Sequence, residues 1–214
     1  MSASVGQSVM AGVGAMSAWP ARVAFSAWRR THGDDRALQL AGEAVSGIAG
    51  MRGVWARAAF YRWTLAGFGE RICIGCGSHV SKTATTVGDG VYVGRYCGVG
   101  LAELADGCML SDGVQVLSGG RQHGADGSAR DDDTMSYRRV RIGRGAWIGA
   151  NAVVMADVGD GAIVGAGAVV TRPIADGAKV AGVPAKPIGP GLTINWTRAG
   201  TVASEALPAS TLAA

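Results

Sequence analysis

The residues predict a mainly β protein, a solenoid whose N-terminal end is covered by helices, and three observations carry that prediction. An aliphatic residue followed by a small one recurs about every six positions: Ile74-Gly75, Val87-Gly88, Val93-Gly94, Val99-Gly100, Leu104-Ala105, Leu110-Ser111, Val116, then Ile142-Gly143, Ile148-Gly149, Val158-Gly159 and Val164-Gly165. The fourth residue after the aliphatic is compact (Ser78, Val91, Cys97, Cys108, Val114, Ala146, Ala152, Ala162, Ala168), with Glu103 the exception where the register slips by one. The 35 glycines among 214 residues follow no three-residue period, which separates the chain from collagen. A period of six fits neither a helix nor a simple strand, so each hexad forms one short side and three sides close a triangular coil. Aliphatic side chains then stack inward as one core, with small residues at the narrow corners.

In chain order, residues 1–70 form an N-terminal helical region, Ala-rich and arginine-studded, with Trp19, Trp28, Trp55 and Trp63. Leu38, Ala41, Val45 and Ile48 recur at helical spacing within Asp35 to Ala49, and Val54, Ala58, Tyr61 and Leu65 repeat the pattern. These two amphipathic helices are expected to cap the open end of the solenoid. A peripheral membrane contact through Trp19, Phe25, Trp28 and Arg29-Arg30 is the alternative role. The apolar stretch near the N-terminus is broken by Trp19-Pro20 and Arg22, and falls short of the roughly 20 apolar residues of a membrane span. Without a signal-peptide pattern, a cytoplasmic location follows, at the inner face of the membrane if the helices touch lipid.

The solenoid is expected over 71–188, interrupted by an extruded loop at 118–139 containing Gly119-Gly120, His123, Gly124, Gly127 and Asp131 to Asp133. An excursion of that length is where chemistry is sought first. Residues 189–214 read as a flexible tail. A hydrophobic share of 48% against 17% charged supports one substantial core. The net charge of +4 is spread along the chain with no basic stripe, which argues against nucleic acid while leaving a small polyanionic ligand open. Cys73-x-x-Cys76 has no second pair to complete a metal site, and Cys97 and Cys108 sit at the compact position of the repeat. The thiols read as structural, in a reducing compartment, with no metal required.

From Arg141 to Ile188 the segments RIGRGAWIGANAVV, GAIVGAGAVVTRPI and VAGVPAKPI resemble the hexapeptide-repeat acyltransferases of left-handed parallel β-helix fold, especially the sugar and xenobiotic O-acetyltransferase branch. The likeness covers about residues 70–188. RAAFYRWTL, VLSGGRQHG and VVMADVGDGAIVGAG are similar to acyltransferases encoded among bacterial surface-polysaccharide genes. The resemblance implies a homotrimer with active sites between subunits, acetyl-CoA as co-substrate along a groove, and a small-molecule or lipid-linked sugar as acceptor. It places His123 as the loop general base, which suits a neutral imidazole facing a poorly nucleophilic hydroxyl. Trp147 matches the tryptophan packed on the pantetheine arm. Ala166 matches a position whose backbone meets the pantetheine amides. Arg172, which follows Thr171, and Lys186 match basic positions near the CoA phosphates, with Thr171 counted among the cofactor contacts.

Three departures from the family pattern stand out. Ala150 replaces a serine that assists the oxyanion in some relatives, so a backbone N–H of Gly149 or Ala150 has to serve. VVMADVGDG is two residues short of a full hexad register, and a bend of the groove is expected there. GRYCGVG replaces the asparagine-rich acceptor segment of the galactoside enzymes, and Tyr96, Arg121 and Asp126 are the acceptor contacts chosen for their place beside the cleft or loop. His32 and His79 read as structural or solvated. The alternatives are N-acetylation of an amino sugar or another small acceptor, a non-catalytic trimeric scaffold, and a metal-dependent hydratase like the γ-type carbonic anhydrases, which needs three histidines.

Overall fold

The first coil of any solenoid leaves a row of unpaired backbone groups, and in this protein helices supply their partners. The computed structural model describes residues 5–118 and 137–188, with the backbone alone for 5–11. Among the described residues, helices α1 (Val5–His32), α2 (Asp34–Ser46) and α3 (Gly50–Thr64) precede sixteen short strands. One sheet stacks β1 (Gly67–Phe68), β4 (Thr86–Val87), β7 (Ala102–Leu104) and β10 (Val140–Ile142). A second stacks β2 (Cys73–Ile74), β5 (Tyr92–Val93), β8 (Met109–Leu110), β11 (Trp147–Ile148), β13 (Ile163–Val164) and β15 (Lys179–Ala181), closed by the antiparallel β16 (Lys186–Pro187). The third stacks β3 (His79–Val80), β6 (Gly98–Val99), β9 (Gln115–Val116), β12 (Val153–Val154) and β14 (Val169–Val170). The architecture is a left-handed parallel β-helix of about 5 turns with an N-terminal helical cap.

The hexad pattern maps onto the interior position by position. Ile74, Val93, Leu110, Ile148, Val164 and Val180 form one buried row, and the compact residues Cys97, Cys108, Ala146, Ala152, Ala162 and Ala168 are fully enclosed at the corners. Burial of each such aliphatic contributes about 1.5–3 kcal/mol. Burial pushes the Cys108 thiol up to about 12 and Cys97 upward as well, so both stay protonated. Where the register slips, Ala102 and Leu104 turn inward and Glu103 outward.

Coil length shrinks along the stack. Corner residues in hydrogen-bonded contact are 19 apart between Glu70 and Asp89, 17 between Asp89 and Asp106, and 16 between Arg144 and Asp160. The short VVMADVGDG segment does not displace the second sheet, where Trp147 still pairs with Ile163. The missing residues are absorbed in the first sheet, which narrows to single bridges at Val158 and Ile174.

The helices meet the open edge of the first coil with polar groups. Arg57, fully buried, donates from Nε to Ile74 O at 2.8 Å and from Nη1 to Val45, Ser46 and Ile48 carbonyls at 3.1, 3.1 and 2.8 Å. The Tyr61 hydroxyl accepts Val80 N–H, Ser46 O accepts Gly77 N–H, Asp35 accepts Thr83 N–H, and Gln39 donates to Ser81 O. These bonds consume edge groups that would otherwise recruit another strand. Desolvation pushes the Arg57 guanidinium below its ordinary value and the Tyr61 phenol up to about 12.

The 13-residue α2 and the 15-residue α3 fall where the two amphipathic patterns predict helices. The separate 28-residue α1 does not emerge from those patterns, because Trp19-Pro20 reads as a break. Pro20 lies on the exposed side of α1, where water can satisfy the carbonyl its missing N–H leaves free. Ala18, Ala21 and Phe25 form the buried side. Phe25 is therefore unavailable for the lipid contact expected of it, being 4% exposed and edge-on to Trp63.

Candidate functional site

Each sheet presents one outward row, and the three rows differ in chemistry. The first carries Thr86, Glu103 and Arg141. The second carries Cys73, Tyr92, Met109, Trp147, Ile163 and Lys179 in register, an apolar row ending in a cation. The third carries His79, Gly98, Gln115, Val153 and Val169. A cleft of about 400 Å³ opens on the second face, lined by Ser111, Trp147, Gly149, Ala150, Ile163 and Ala166 among others. Trp147 is half-buried over it, its indole N–H donating to Ser111 Oγ at 3.1 Å.

The corner bordering this cleft departs from a rule kept elsewhere. Where a corner residue is followed one coil later by aspartate, the carboxylate accepts its backbone N–H: Asp89 serves Glu70, Asp106 serves Asp89, Asp112 serves Arg95, Asp160 serves Arg144 and Asp176 serves Asp160. Asp160 is held down at about 2, chiefly by its hydrogen bond from the Arg141 side chain and then by Arg144. The Arg95 backbone and side chain hold Asp112 below the usual carboxylate range. Beyond Asp112 the stacked corner positions are Ala150 and Ala166, which carry no acceptor. Among the described residues the N–H groups of Asp112, Ala150 and Ala166 therefore have no hydrogen-bond acceptor. Gly149 N–H is already spent on Val164 O at 2.7 Å, so of the two amides considered for an oxyanion only that of Ala150 is uncommitted.

Small residues keep this corner narrow. A Cβ at Gly149 would lie 2.5 Å from Ala166 N, inside contact distance. The geometry suits an extended chain with amide groups: an indole wall, an apolar floor and unpaired N–H groups at the rim.

The other expected residues are spread around the coil. Thr171 and Arg172 follow β14 at the corner between the third and first sheets, exposed and outside the lining of the cleft. Lys186 is exposed on β16, paired with Ala181, while Ile188 N–H bonds Lys179 O and brings that end to the cleft. Tyr96 holds a left-handed turn (φ 56°) with its ring against Gly77, where a Cβ would fall 2.3 Å from the ring. His123, Arg121 and Asp126 lie outside the described residues, as do most of the 118–139 loop and the 189–214 tail. The two ends of the excursion meet: Arg138 N–H donates to Ser118 O at 3.0 Å, and Ser118 Oγ accepts Leu101 N–H.

A second, polar cleft of about 280 Å³ lies on the third face beside these ends, with Gln39, His79, Lys82, Gln115, Ser118 and Tyr137 on its walls. His79, read from the sequence as structural or solvated, is exposed on β3 and borders this cleft. Gly98 lies between His79 and Gln115 in the outward row, and the Gln115 carboxamide covers it, 2.3 Å from where a Cβ would stand. His32 is accounted for locally, its Nδ1 being 2.7 Å from Thr31 Oγ1. No cluster of three metal-ligating side chains occurs among the described residues.

Residues 139–172 match the family described as bacterial transferase hexapeptide (six repeats). A maltose O-acetyltransferase from Clostridium difficile 630 superposes with a TM-score of 0.62 at 21% identity, covering 75% of this chain and 89% of its own. A hexapeptide-repeat containing acetyltransferase from Vibrio cholerae gives 0.60 at 17% identity, covering 74% and 93%. No curated protein matches the chain in sequence. The repeat and the fold of hexapeptide-repeat proteins, expected from the motifs between Arg141 and Ile188, are thus present.

Proposed function

We propose that this protein is an acyltransferase that moves an acetyl group from acetyl-CoA to the hydroxyl of a sugar, a surface-polysaccharide precursor being the favoured acceptor. The observation that carries the reading is the cleft beneath Trp147 with the unpaired N–H groups of Ala150 and Ala166. The cleft fits a pantetheine arm in chemistry: Trp147 supplies the flat apolar wall, Ala166 N–H a donor to an amide carbonyl, and Ala150 N–H a donor to the oxygen that becomes negative during transfer. Lys186, near the β16 end of the cleft, supplies charge for phosphates from the same chain, while Arg172 and Thr171, at another corner of the coil, supply charge and a hydroxyl from a neighbouring copy.

His123 is the general base of this proposal. Its neutral imidazole takes the proton of the acceptor hydroxyl as that oxygen bonds the thioester carbonyl carbon, and the imidazolium returns the proton to the departing thiolate. Tyr96, Arg121 and Asp126 are the acceptor contacts of this proposal, and the polar lining of the third-face cleft is suited to a hydroxyl-rich molecule. The apolar row Tyr92, Met109, Trp147 and Ile163 favours burial against another copy of the chain, which agrees with a homotrimer whose sites lie between subunits.

The test is free-thiol release from acetyl-CoA against a panel of sugars and nucleotide sugars, with His123→Ala in parallel. Acceptor-dependent release that disappears in a folded His123→Ala variant is the expected result. Absence of CoA binding by calorimetry would overturn the reading in favour of a scaffold without turnover.

A further inference from the structure

The outer side of α1 carries large apolar side chains that nothing in the chain covers. Met16, Trp19 and Val23 follow one another at helical spacing and are 75%, 61% and 51% exposed. Exposed Pro20 and Ala27 extend the same face. Trp63 of α3 adjoins it, joined to Trp19 through the Arg22 guanidinium, whose centre lies 5.9 Å from the Trp19 ring and 4.4 Å from the Trp63 ring. Isolated exposed apolar residues are ordinary, but a contiguous stripe on one helix marks a contact surface.

Charge selects the partner. Neither α1 nor α3 contains an aspartate or glutamate, while together they carry Arg22, Arg29, Arg30, Arg52, Arg57 and Arg62. The carboxylates that open α2 are already paired, Asp34 with Arg29 at the surface and Asp35 with Lys82 and Thr83. Arg22, Arg30 and Arg52 have no carboxylate partner among the described residues. Glu43 is the one carboxylate of α2 left without a described partner. An apolar face with tryptophan at its centre and arginine at its edges is the composition that settles into the headgroup region of an anionic bilayer. None of the three helices is long and apolar enough to cross a membrane, so the contact is with the surface.

We infer that the outer face of α1, centred on Trp19 and framed by Arg22, Arg30 and Arg52, docks the protein on an anionic lipid surface. The inference stands apart from the acyl-transfer reading and is read out without turnover. A second copy of the chain is the competing occupant, disfavoured because two such faces would bring like charges together.

The experiment is co-sedimentation of the full chain with phosphatidylcholine vesicles, with and without about one-third phosphatidylglycerol. Two variants accompany it: Met16→Ser/Trp19→Ser/Val23→Ser, and Arg30→Gln/Arg52→Gln, which leaves the apolar face intact should the triple variant misfold. Binding to the anionic vesicles alone, weakened at least about tenfold in either folded variant and by high salt, is the expected result. Wild-type protein that stays in the supernatant with anionic vesicles overturns the inference. So does undiminished binding by both variants, or a triple variant whose only change is a smaller assembly by light scattering.

Discussion

Arg57→Met tests whether the helical cap holds the solenoid through its buried guanidinium. Methionine keeps most of the aliphatic stem and removes all four hydrogen bonds to Ile74, Val45, Ser46 and Ile48 carbonyls. Two of those acceptors keep another donor, since Ile48 N–H reaches Val45 O and Gly77 N–H reaches Ser46 O. Ile48 O and Ile74 O lose the donor that Arg57 gave them, at about 1–3 kcal/mol for each carbonyl left buried. Relief from burying a charge offsets part of this, leaving a net loss of about 3 kcal/mol. For a chain of this size that lowers the thermal midpoint by about 6–12 °C, measured by far-ultraviolet circular dichroism. Arg57→Lys, which keeps the charge but has one nitrogen, should fall between. A midpoint for Arg57→Met within about 2 °C of wild type would refute the reasoning, because the edge would then be held by packing alone.

Four further outcomes are expected. Gly53→Ala should destabilise the cap by about 1–3 kcal/mol in chemical unfolding, since its Cβ would lie 1.7 Å from Ile48 O, the acceptor of Arg57. Ala166→Asn should place a carbonyl where aspartate serves the other corners and so occupy Ala150 N–H; thermal stability should hold while acetyl transfer falls by about 10²–10³. Trp147→Ala should weaken CoA binding about tenfold in calorimetry with the fold retained. Asp160, at about 2 in the folded protein and about 3.9 when unfolded, stabilises the fold above the higher value and loses that contribution as pH falls through the lower. Thermal midpoints of wild type and Asp160→Asn should therefore differ at pH 5 and converge towards pH 2.

The coils were legible in the sequence because each hexad repeats one demand, an inward aliphatic such as Ile148 followed by a residue as small as Gly149. Periodicity also located α2 and α3. It missed α1 because a proline inside a helix looks like a boundary unless its place on the solvent side is known, which depends on how α1 packs against α3. At the candidate site, Trp147, Gly149, Ala150 and Ala166, singled out through the resemblance, line one cleft because the repeat puts them in register. Thr171 and Arg172 lie at a different corner, since nearness along the chain turns through a third of the coil within a few residues. The free amide of Ala150 was not readable from its own segment. It depends on what stands one coil later, and coil lengths of 19, 17 and 16 obscure which residue that is.

The two ends of the stack are closed by unlike devices. Arg57, Tyr61, Asp35 and Gln39 fit only the first coil, and the reversed strand β16 fits only the last. Between them the inward aliphatic and the compact corner residue recur from coil to coil even where coil length changes. The number of coils is thus the quantity this architecture leaves free: a coil added or removed in the middle alters the length of the groove without disturbing either terminus.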